Sequence, residues 1–364
     1  MIFFFFRILS IFFRKNKKLP RKLNKILIFR QGGIGDVINT TPLVRFLKKI
    51  YPKAKIDYLV GEWSKDVLTE NPDINRVISF SDDIIYKKKY IKLLELAKQI
   101  RANRYDIIFN CNKSWMYNVL VLFFCIPFRI GFDRYREGFC NTHNVFYDGK
   151  IHEIDYYVKL ASFLTNKKAE DNVYLYSSKK EKKKVSSVLK KLKLNKNKIV
   201  CLGPGGSYNP GDTYTIRRFP FDKYLELITN LIKDFNIFLI GGKKDIALNN
   251  KFISSIKNSK NKIVNFAGKL NIKESYALLK KCHLYIGHIS GQLHLADASG
   301  IPIISINGPL AYYQFSPKRA VNFVSHKPCY DVYGHYNLPD KFSYYDDIKV
   351  SNIEAAARKI LKKK

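Results

Sequence analysis

The chain has 364 residues, which is enough for two ordinary domains and too many for one small module. Hydrophobic residues make up 46% of the sequence and charged residues 26%, a balance that excludes a mostly disordered chain. The formal net charge of +35 favours polyanionic partners, although a lysine-rich biased composition accounts for part of it. The lysines are spread along the chain without an RRM, KH or helix-turn-helix signature, so we expect no nucleic-acid partner.

The N-terminal segment, residues 1–24, starts with the apolar run MIFFFFRILSIFF and continues with a cluster of lysines and arginines. Arg7 interrupts this run, which is far shorter than the roughly 20 residues of a membrane-spanning helix. A secretory signal has its positive charge before the apolar run, whereas here the order is reversed. The segment therefore predicts a peripheral anchor on the anionic cytoplasmic face of a membrane. The alternatives are a disordered or self-packed tail and an atypical signal.

Residues 25–177 alternate short apolar runs with amphipathic stretches. A predicted strand at 26–29 leads through a glycine loop into a helix whose apolar residues recur at helical spacing from Val37 to Ile50. KIDYLVG, the end of NPDINRVISF, and YDIIFNC predict further strands, with a helix around residues 90–101. Strands that alternate with helices imply a parallel sheet covered on both faces.

The same opening recurs near residue 198, where KIVCLGPGGS predicts a strand and glycine loop and FPFDKYLELITNLIKDF predicts the next helix. NIFLIGG, KIVNFAG, HLYIGH and IPIISING predict four more strands, and the lysine-rich stretch 177–198 predicts a basic helix. The sequence thus predicts an α/β protein of two doubly wound Rossmann-like domains, 25–177 and 178–345, facing a cleft with ligands at the carboxyl ends of the strands. We expect a final helix within 346–364 to pack back across the domains.

The first glycine loop contains three glycines and then Asp36 at the start of a helix. Ile38 stands where the GxGxxG pattern needs its third glycine, and the chain has no GxxxxGK[ST], which excludes P-loop chemistry. Asp36 fits two roles, a helix cap and a catalytic carboxylate.

The second glycine loop, residues 203–207, precedes Arg217 and Arg218. A glycine turn followed by two guanidinium groups at a helix entrance suits a pyrophosphate, because backbone N–H groups and the helix dipole favour anions. Two solvated arginines before a helix that starts with proline are the alternative.

A third segment runs from a strand into Ser290 and Gly291 at a predicted helix start, which is a positive terminus. His288 and Gln292 occupy the positions where a GxSxG elbow needs glycine, so a serine hydrolase is disfavoured. His294 fits either a buried core histidine or a ligand contact.

The cysteines are scattered, with no CxxC pair and no histidine cluster at zinc-ligand spacing. This usage predicts reduced, mostly buried thiols and no metal site. The chain also lacks a D-x-D motif. The six cysteines are Cys111, Cys125, Cys140, Cys201, Cys282 and Cys329.

Taken in order, three motifs resemble the lipopolysaccharide heptosyltransferases, glycosyltransferase family 9. They are GGxGDxxxxTP, then G-P-G-[GA]-S with RR-[WF]-P, then [ST]-G-x-x-H-[LI]-A with G-P shortly after. VNFAGKLNIKESYALLKKCHLYIG and HEIDYY are similar to further stretches of the family. The resemblance covers about residues 25–320.

The resemblance implies a GT-B fold and metal-independent, inverting transfer of a sugar from a nucleotide diphosphate sugar, typically ADP-heptose, without a cofactor. The expected acceptor is the lipopolysaccharide core or a related lipid-linked glycan, bound by the first domain, while the second domain binds the donor. The resemblance implies that Asp36 matches the family's proposed general base. It also implies that Arg217 matches a cation that binds the donor phosphate and that Leu270 matches a residue that contacts the adenine. The implied acceptor loop comprises Gly32, Gly33, Gly35 and Thr40. The implied donor site comprises Gly205, Gly206, Ser207, Arg217, Arg218, Leu270, Ser290, Gly291 and His294.

The sequence departs from the family at Ile289, which stands where the family has an aspartate that contacts the donor. This departure leaves two alternatives to heptose transfer. One is a family member that uses a different nucleotide sugar, and the other is a sugar-nucleotide-binding protein without catalysis.

Overall fold

The structure is a computed structural model, and the chain divides after Tyr174 into two compact units. Most of the N-terminal segment with its predicted membrane anchor lies outside the described residues. Within the described part of the chain, no helix is both long and apolar enough to cross a bilayer. The described residues are 18–20, 22–87, 89–192, 194–206, 208–209, 212–213, 215–256, 262–326 and 344–362.

The first unit contains a six-stranded parallel sheet in the order β3-β2-β1-β4-β5-β6. The central strand has the sequence KILIFR, and its four middle residues are fully buried because helices cover both faces of the sheet. The strand order reverses between β1 and β4, which makes their carboxyl ends the topological switch point. The strands are β1 (Lys25–Arg30), β2 (Lys55–Gly61), β3 (Arg76–Phe80), β4 (Ile107–Asn110), β5 (Phe128–Asp133) and β6 (His143–Phe146).

The helix predicted after the first glycine loop is two helices, which meet at Asn39 and Thr40. The hydroxyls of Thr40 and Thr41 donate to the carbonyls of Val37 and Ile38 over 2.7 Å each. Pro42 then occupies the first turn of the second helix, where its missing N–H costs nothing. The helices of this unit are α1 (Ile34–Ile38), α2 (Thr41–Ile50), α3 (Asp83–Tyr86), α4 (Tyr90–Ala102), α5 (Trp115–Phe123) and α6 (Glu153–Lys159).

The second unit repeats the winding of the first, with a six-stranded parallel sheet in the order β11-β10-β7-β12-β13-β14. Its switch point lies between β7 and β12, and the short antiparallel pair β8-β9 stands apart from the sheet. The strands are β7 (Ile199–Gly203), β8 (Tyr208–Asn209), β9 (Asp212–Thr213), β10 (Asn236–Leu239), β11 (Ile263–Asn265), β12 (Leu284–His288), β13 (Ile303–Asn307) and β14 (Val321–Val324).

The predicted basic helix is α7, which starts with a reciprocal cap between Ser178 and Glu181 and belongs to the second unit. The last helix packs into the core of this same unit through Ile353, Ala357 and Leu361, all buried. The helices are α7 (Lys179–Lys191), α8 (Phe221–Leu231), α9 (Ile246–Ser255), α10 (Ile272–Leu279), α11 (Gly291–Ser299), α12 (Tyr312–Phe315) and α13 (Val350–Lys362). Short 3-10 helices cover Glu62–Val67, Gly138–Cys140, Leu160–Phe163, Thr215–Arg217 and Lys243–Asp245.

Candidate active site

Asp36 lies in the first turn of α1, directly after the glycine loop that follows β1, and faces the residue that ends this strand. Its Oδ1 forms an ion pair with Nη2 of Arg30 at 2.9 Å, and its Oδ2 accepts the backbone N–H of Gly33, also at 2.9 Å. A Cβ atom at Gly32 would lie 2.9 Å from the same Oδ2, so the close turn favours glycine there. The two roles considered for Asp36 are compatible, because one oxygen caps the helix while the other binds a cation.

The charge of Asp36 depends on its neighbours. Burial by itself raises the pKa of this carboxyl, but the positive charges of Arg30 and Lys113 outweigh burial and hold the pKa below its usual value. The side chain keeps 38% of its surface exposed. Asp36 is therefore an ionised carboxylate near neutral pH that a substrate from solution can reach.

A buried ion pair supports this carboxylate from the loop after β4. Nζ of Lys113 lies 2.5 Å from Oε2 of Glu153, and the hydroxyl of Tyr147 donates to the other oxygen of Glu153. The ring centroid of Tyr157 lies 5.9 Å from both the Arg30 guanidinium and Nζ of Lys113. Burial raises the pKa of Glu153, but the charge of Lys113 and the hydrogen bonds from Lys113 and Tyr147 outweigh burial and hold the pKa below its usual value. Glu153 is therefore ionised as well. Alternating charges thus surround Asp36.

Gln31 connects the loop after β1 to neighbouring residues through hydrogen bonds. Its backbone N–H donates to Oδ1 of Asn112 at 2.9 Å, and its Nε2 donates to Oδ1 of Asp82, also at 2.9 Å. The hydroxyl of Tyr117 donates to Oε1 of Gln31 at 2.5 Å. The loops after β1, β3 and β4 are therefore held together at one edge of the sheet.

Thr40, expected in the acceptor loop, is fully buried. Its hydroxyl lies 2.7 Å from the carbonyl of Val37, to which it donates, and 2.6 Å from the hydroxyl of Tyr58. The structure thus places Thr40 in the junction between α1 and α2, where it supports the loop from inside.

In the second unit, a buried carboxylate organises the glycine loop after β7. Asp245 accepts the N–H of Gly206 at 2.9 Å through Oδ1 and the N–H of Gly242 at 2.8 Å through Oδ2. A Cβ atom at Gly205 would lie 2.2 Å from Oδ1 of Asp245, and Gly206 has a φ of +87°, so both positions favour glycine. The N–H of Gly206, expected to bind the donor, is thus committed to Asp245, while Ser207 lies outside the described residues.

Two arginines and a neutral histidine lie beside this loop. Arg218 donates to the carbonyl of Gly206 through Nη2 at 2.8 Å and Nε at 3.3 Å, and its guanidinium lies 4.7 Å from the ring centroid of Tyr208. The main-chain carbonyl of Arg217 accepts from the hydroxyl of Tyr345 at 2.5 Å. Burial and the charges of Arg218 and Arg217 lower the pKa of His288 to about 3. His288 is therefore neutral, and the positive charge beside this loop comes from the arginines and from Lys244, whose Nζ lies 4.8 Å from the ring centroid of Tyr208.

The loop after β12 presents the N-terminus of α11. Ser290 occupies the cap position, but its hydroxyl donates to Oε1 of Gln292 at 3.0 Å and does not cap the helix. Ile289 and His294 are both buried, and Leu270 is half-buried immediately before α10. Ser290 and Gly291 thus lie at a helix terminus that attracts an anion, whereas Ile289 supplies no charge.

Two expectations concern metals and thiols. Among the described residues, no group of three or more His, Cys, Asp and Glu side chains could hold a metal ion. Of the five cysteines that the structure describes, none forms a disulfide, and only Cys125 is exposed.

The comparisons with known proteins decide the family. The sequence profile of glycosyltransferase family 9 (heptosyltransferase) matches residues 93–332, which is more than half of the chain. The chain belongs to this family. The matched residues include the second and third motifs, and the resemblance to family 9 is thereby confirmed. The protein is a glycosyltransferase.

Curated relatives and solved structures agree with this assignment. Lipopolysaccharide heptosyltransferase 1 of Campylobacter coli is 29% identical over 319 residues, which cover 82% of this chain and 88% of the relative. Lipopolysaccharide heptosyltransferase 2 of Salmonella typhimurium is 25% identical over 302 residues, covering 78% and 83%.

Two solved structures match almost the whole fold. The family 9 glycosyltransferase of Veillonella parvula gives a TM-score of 0.82 at 18% identity and covers 96% of this chain and 100% of that one. The E. coli ADP-heptose lipopolysaccharide heptosyltransferase II gives 0.73 at 20% identity, covering 93% and 99%. The expected GT-B fold is thereby confirmed.

In this family 9 glycosyltransferase, the sequence motifs located Asp36 and the arginine pair but missed four charged residues. Each missed residue lies at the carboxyl end of a central strand or contacts a loop that follows one. A charged residue at the end of a buried strand beside the switch point is the signal that could have found Arg30, and Lys113 follows three residues after β4. The missed residues are Arg30, Lys113, Glu153 and Asp245.

Proposed function

We propose that this protein transfers a heptose from ADP-heptose to the lipopolysaccharide core or a related cell-envelope glycolipid, with inversion and without a metal ion. The observation that carries the proposal is the ionised, partly exposed carboxylate of Asp36, held by Arg30 at the switch point of the first sheet. The relatives named above are lipopolysaccharide heptosyltransferases, which supports both the donor and the acceptor class.

Asp36 has the properties of a general base for the acceptor. The acceptor hydroxyl oxygen attacks C1 of the sugar while the bond from C1 to the phosphate oxygen breaks through an oxocarbenium-like state. The hydroxyl proton passes to Asp36, and the diphosphate leaves as ADP. A positioned general base contributes about 10²–10⁴-fold to such a step. A single displacement inverts the configuration at C1.

The second unit supplies the groups that suit the leaving diphosphate. Arg217, Arg218 and the N-terminus of α11 would stabilise the negative charge that develops on it. His288 is neutral, so it adds no positive charge to this group. These cationic and dipolar groups, together with a sequence that lacks D-x-D, support a metal-independent reaction.

We place the reaction at the cytoplasmic face of a membrane, where the protein binds peripherally. The apolar and basic N-terminal segment and the net charge of +35 suit a lipid-linked acceptor on an anionic surface.

A second candidate function follows from Ile289, which is buried and apolar where the family has a donor-binding aspartate. A site without this carboxylate makes fewer polar contacts to the sugar hydroxyls, which favours a different nucleotide sugar as donor. Loss of catalysis with retained nucleotide binding is the limiting case of this alternative.

The test is a transfer assay with purified protein, a core glycolipid acceptor and a panel of donors that includes ADP-heptose, UDP-glucose and GDP-mannose. We expect ADP-heptose to give a product whose anomeric configuration is inverted by NMR, at an unchanged rate in excess EDTA. Preferential use of another donor would establish the second candidate. Nucleotide binding by calorimetry without any transfer would identify a non-catalytic protein.

A further inference from the structure

An apolar groove opens on the surface of the first unit, between α4 and α5. Its volume is about 630 Å³, and its lining is almost entirely hydrocarbon and aromatic. The site derived above does not use it. Its walls include Leu93, Leu94, Trp115, Met116 and Phe123.

The groove lies in a surface that is unusually apolar for an exposed helix pair. Ile91 is 76% exposed, Tyr90 67% and Phe123 50%. In α4, only the C-terminal half is buried, through Leu96, Ala97 and Ile100. In its first turns, Leu93 is partly buried against the core, whereas Tyr90, Ile91 and Leu94 are exposed and form an apolar patch. Such a patch marks a binding surface.

Exposed lysines lie at the N-terminal end of this patch. Lys89 and Lys92 are exposed beside Tyr90 and Ile91 on the first turns of α4, and Lys87 precedes them with its ammonium 2.7 Å from Asp83. Exposed Glu95 follows one turn later. Aromatic and aliphatic side chains among lysines match a membrane interface, where apolar groups enter the acyl region and lysines contact anionic headgroups.

The groove is connected to the catalytic loop. Helices that follow strands of a parallel sheet begin near its carboxyl edge, and α4 and α5 follow β3 and β4 in this way. Tyr117 lines the groove, and its hydroxyl donates to Gln31, the residue next to Arg30. An apolar ligand in the groove thus lies one side chain away from the loop that holds Asp36.

We propose that the face formed by α4 and α5 docks on an anionic lipid bilayer and that the groove takes a lipid acyl chain. The proposal rests on the proposed function, because it names the place where the lipid part of a glycolipid acceptor is held. It adds a docking surface on the folded first unit to the N-terminal segment. A protein helix is disfavoured as the occupant because the exposed Lys89 and Lys92 at the start of α4 and the net charge of +35 suit anionic headgroups.

Tryptophan fluorescence tests entry of the acyl chain. The chain contains two tryptophans, Trp63 and Trp115, so Trp63→Phe leaves the groove residue as the sole emitter. We expect vesicles of phosphatidylcholine and phosphatidylglycerol with brominated acyl chains to reduce Trp115 emission at least twofold relative to unbrominated vesicles. Vesicle binding without this quenching would overturn the proposal, because the N-terminal segment would then carry the binding alone. Absence of vesicle binding would overturn it as well.

Vesicle sedimentation with the full chain tests the surface itself. The groove variant combines Phe123→Ser in the groove wall with Ile91→Ser on the exposed face beside it. It should lower the partition coefficient on anionic vesicles at least tenfold, because two large apolar side chains no longer leave water on binding. The matched control, Phe146→Ser with Val321→Ser, removes apolar side chains that are exposed elsewhere and should change it less than twofold. Wild-type binding by the groove variant would overturn the proposal, and is also the result expected if a protein helix occupied the groove.

Transfer assays separate this proposal from the proposed function. The groove variant should lose at least tenfold in kcat/KM for an acylated acceptor and keep its rate on a deacylated one. Groove-dependent vesicle binding without transfer from any donor would support the docking surface and contradict the proposed function. If the wild type transfers the sugar and the groove variant keeps the wild-type kcat/KM on the acylated acceptor, the result would support the proposed function and contradict the docking surface.

Discussion

The two sheets have the same strand order, but the loops at their switch points use charge in opposite ways. In the first unit, the carboxylate of Asp36 in the first turn of α1 is partly exposed, and the cations Arg30 and Lys113 lie near it. In the second unit, the carboxylate of Asp245 is buried under the glycine loop and accepts two backbone N–H groups, while the arginines supply the outer charge. Each acid contacts a glycine loop, yet only Asp36 is accessible to a substrate.

This difference shows how one topology serves two chemical roles. The Rossmann-like winding determines where the loops meet, and the placement of one acid determines what they bind. An exposed carboxylate with cations behind it suits a proton acceptor, whereas a buried carboxylate under cations suits an anion site. The predictions below test these two roles.

Asp36→Asn should have the largest effect, a loss of about 10²–10⁴-fold in kcat with an unchanged Kd for the nucleotide. The amide cannot accept the proton from the acceptor hydroxyl, but its oxygen still accepts the N–H of Gly33. Steady-state kinetics and calorimetry measure the two quantities. Asp245→Asn is the matched control, because it should lower stability by about 1–3 kcal/mol through a lost N–H acceptor and affect kcat less. Near wild-type turnover of the Asp36 variant would remove it from the mechanism.

Glu153→Gln should destabilise the protein by about 3–5 kcal/mol, because it leaves the ammonium of Lys113 buried without its counter-ion. Thermal or denaturant unfolding measures this loss. The double variant Lys113→Met with Glu153→Gln removes both charges and should be more stable than the single variant. A double variant whose loss equals the sum of two severe single losses would show that the two residues do not act as a pair.

Much of the fold could be predicted because strands of a covered parallel sheet are continuous apolar runs. KIDYLVG forms β2 over Lys55–Gly61, and the helix expected at 90–101 is α4. Strands β5 and β6 were not predicted, because FRIGFD and HNVF mix polar and apolar residues and lack such a run. The break between α1 and α2 was missed because the apolar spacing continues across it.

The candidate site could be predicted only where its residues stand close in sequence. Asp36 follows its glycines directly, and Arg217 and Arg218 precede their helix. Lys113 and Glu153 are 40 residues apart, and Gly206 and Asp245 are 39 apart. Such pairs depend on the strand order of the sheet, which the sequence pattern alone does not specify.

Arg217→Ala should raise the Kd for ADP roughly 10- to 150-fold, corresponding to about 1.5–3 kcal/mol for a charge-assisted hydrogen bond to phosphate. The bond from Tyr345 goes to the main-chain carbonyl of Arg217 and survives the substitution, so the fold should be retained. Isothermal titration calorimetry measures the affinity, and Arg217→Lys should recover part of it. Unchanged affinity would contradict the phosphate role and would favour a solvated arginine.

His288 should give the smallest effect, one that depends on pH. Its pKa is about 3 in the folded protein against an ordinary value of 6.5, because burial and the arginines disfavour the charged form. Between pH 6.5 and pH 3, His288 binds a proton in the unfolded chain but not in the folded protein. Stability therefore falls by about 1.4 kcal/mol per pH unit as the pH decreases toward 3, and this contribution is constant above 6.5.

His288→Gln removes this proton and isolates its contribution, because the other titrating groups are common to both proteins. Between pH 7 and pH 5, the wild type should lose about 2 kcal/mol more stability than the variant, seen as a steeper fall of Tm. Parallel Tm profiles would mean that His288 binds its proton equally in both states. His288 would then be an additional cation at the second switch point at acid pH. The contrast between the two switch points depends partly on a neutral His288, so it would be weaker.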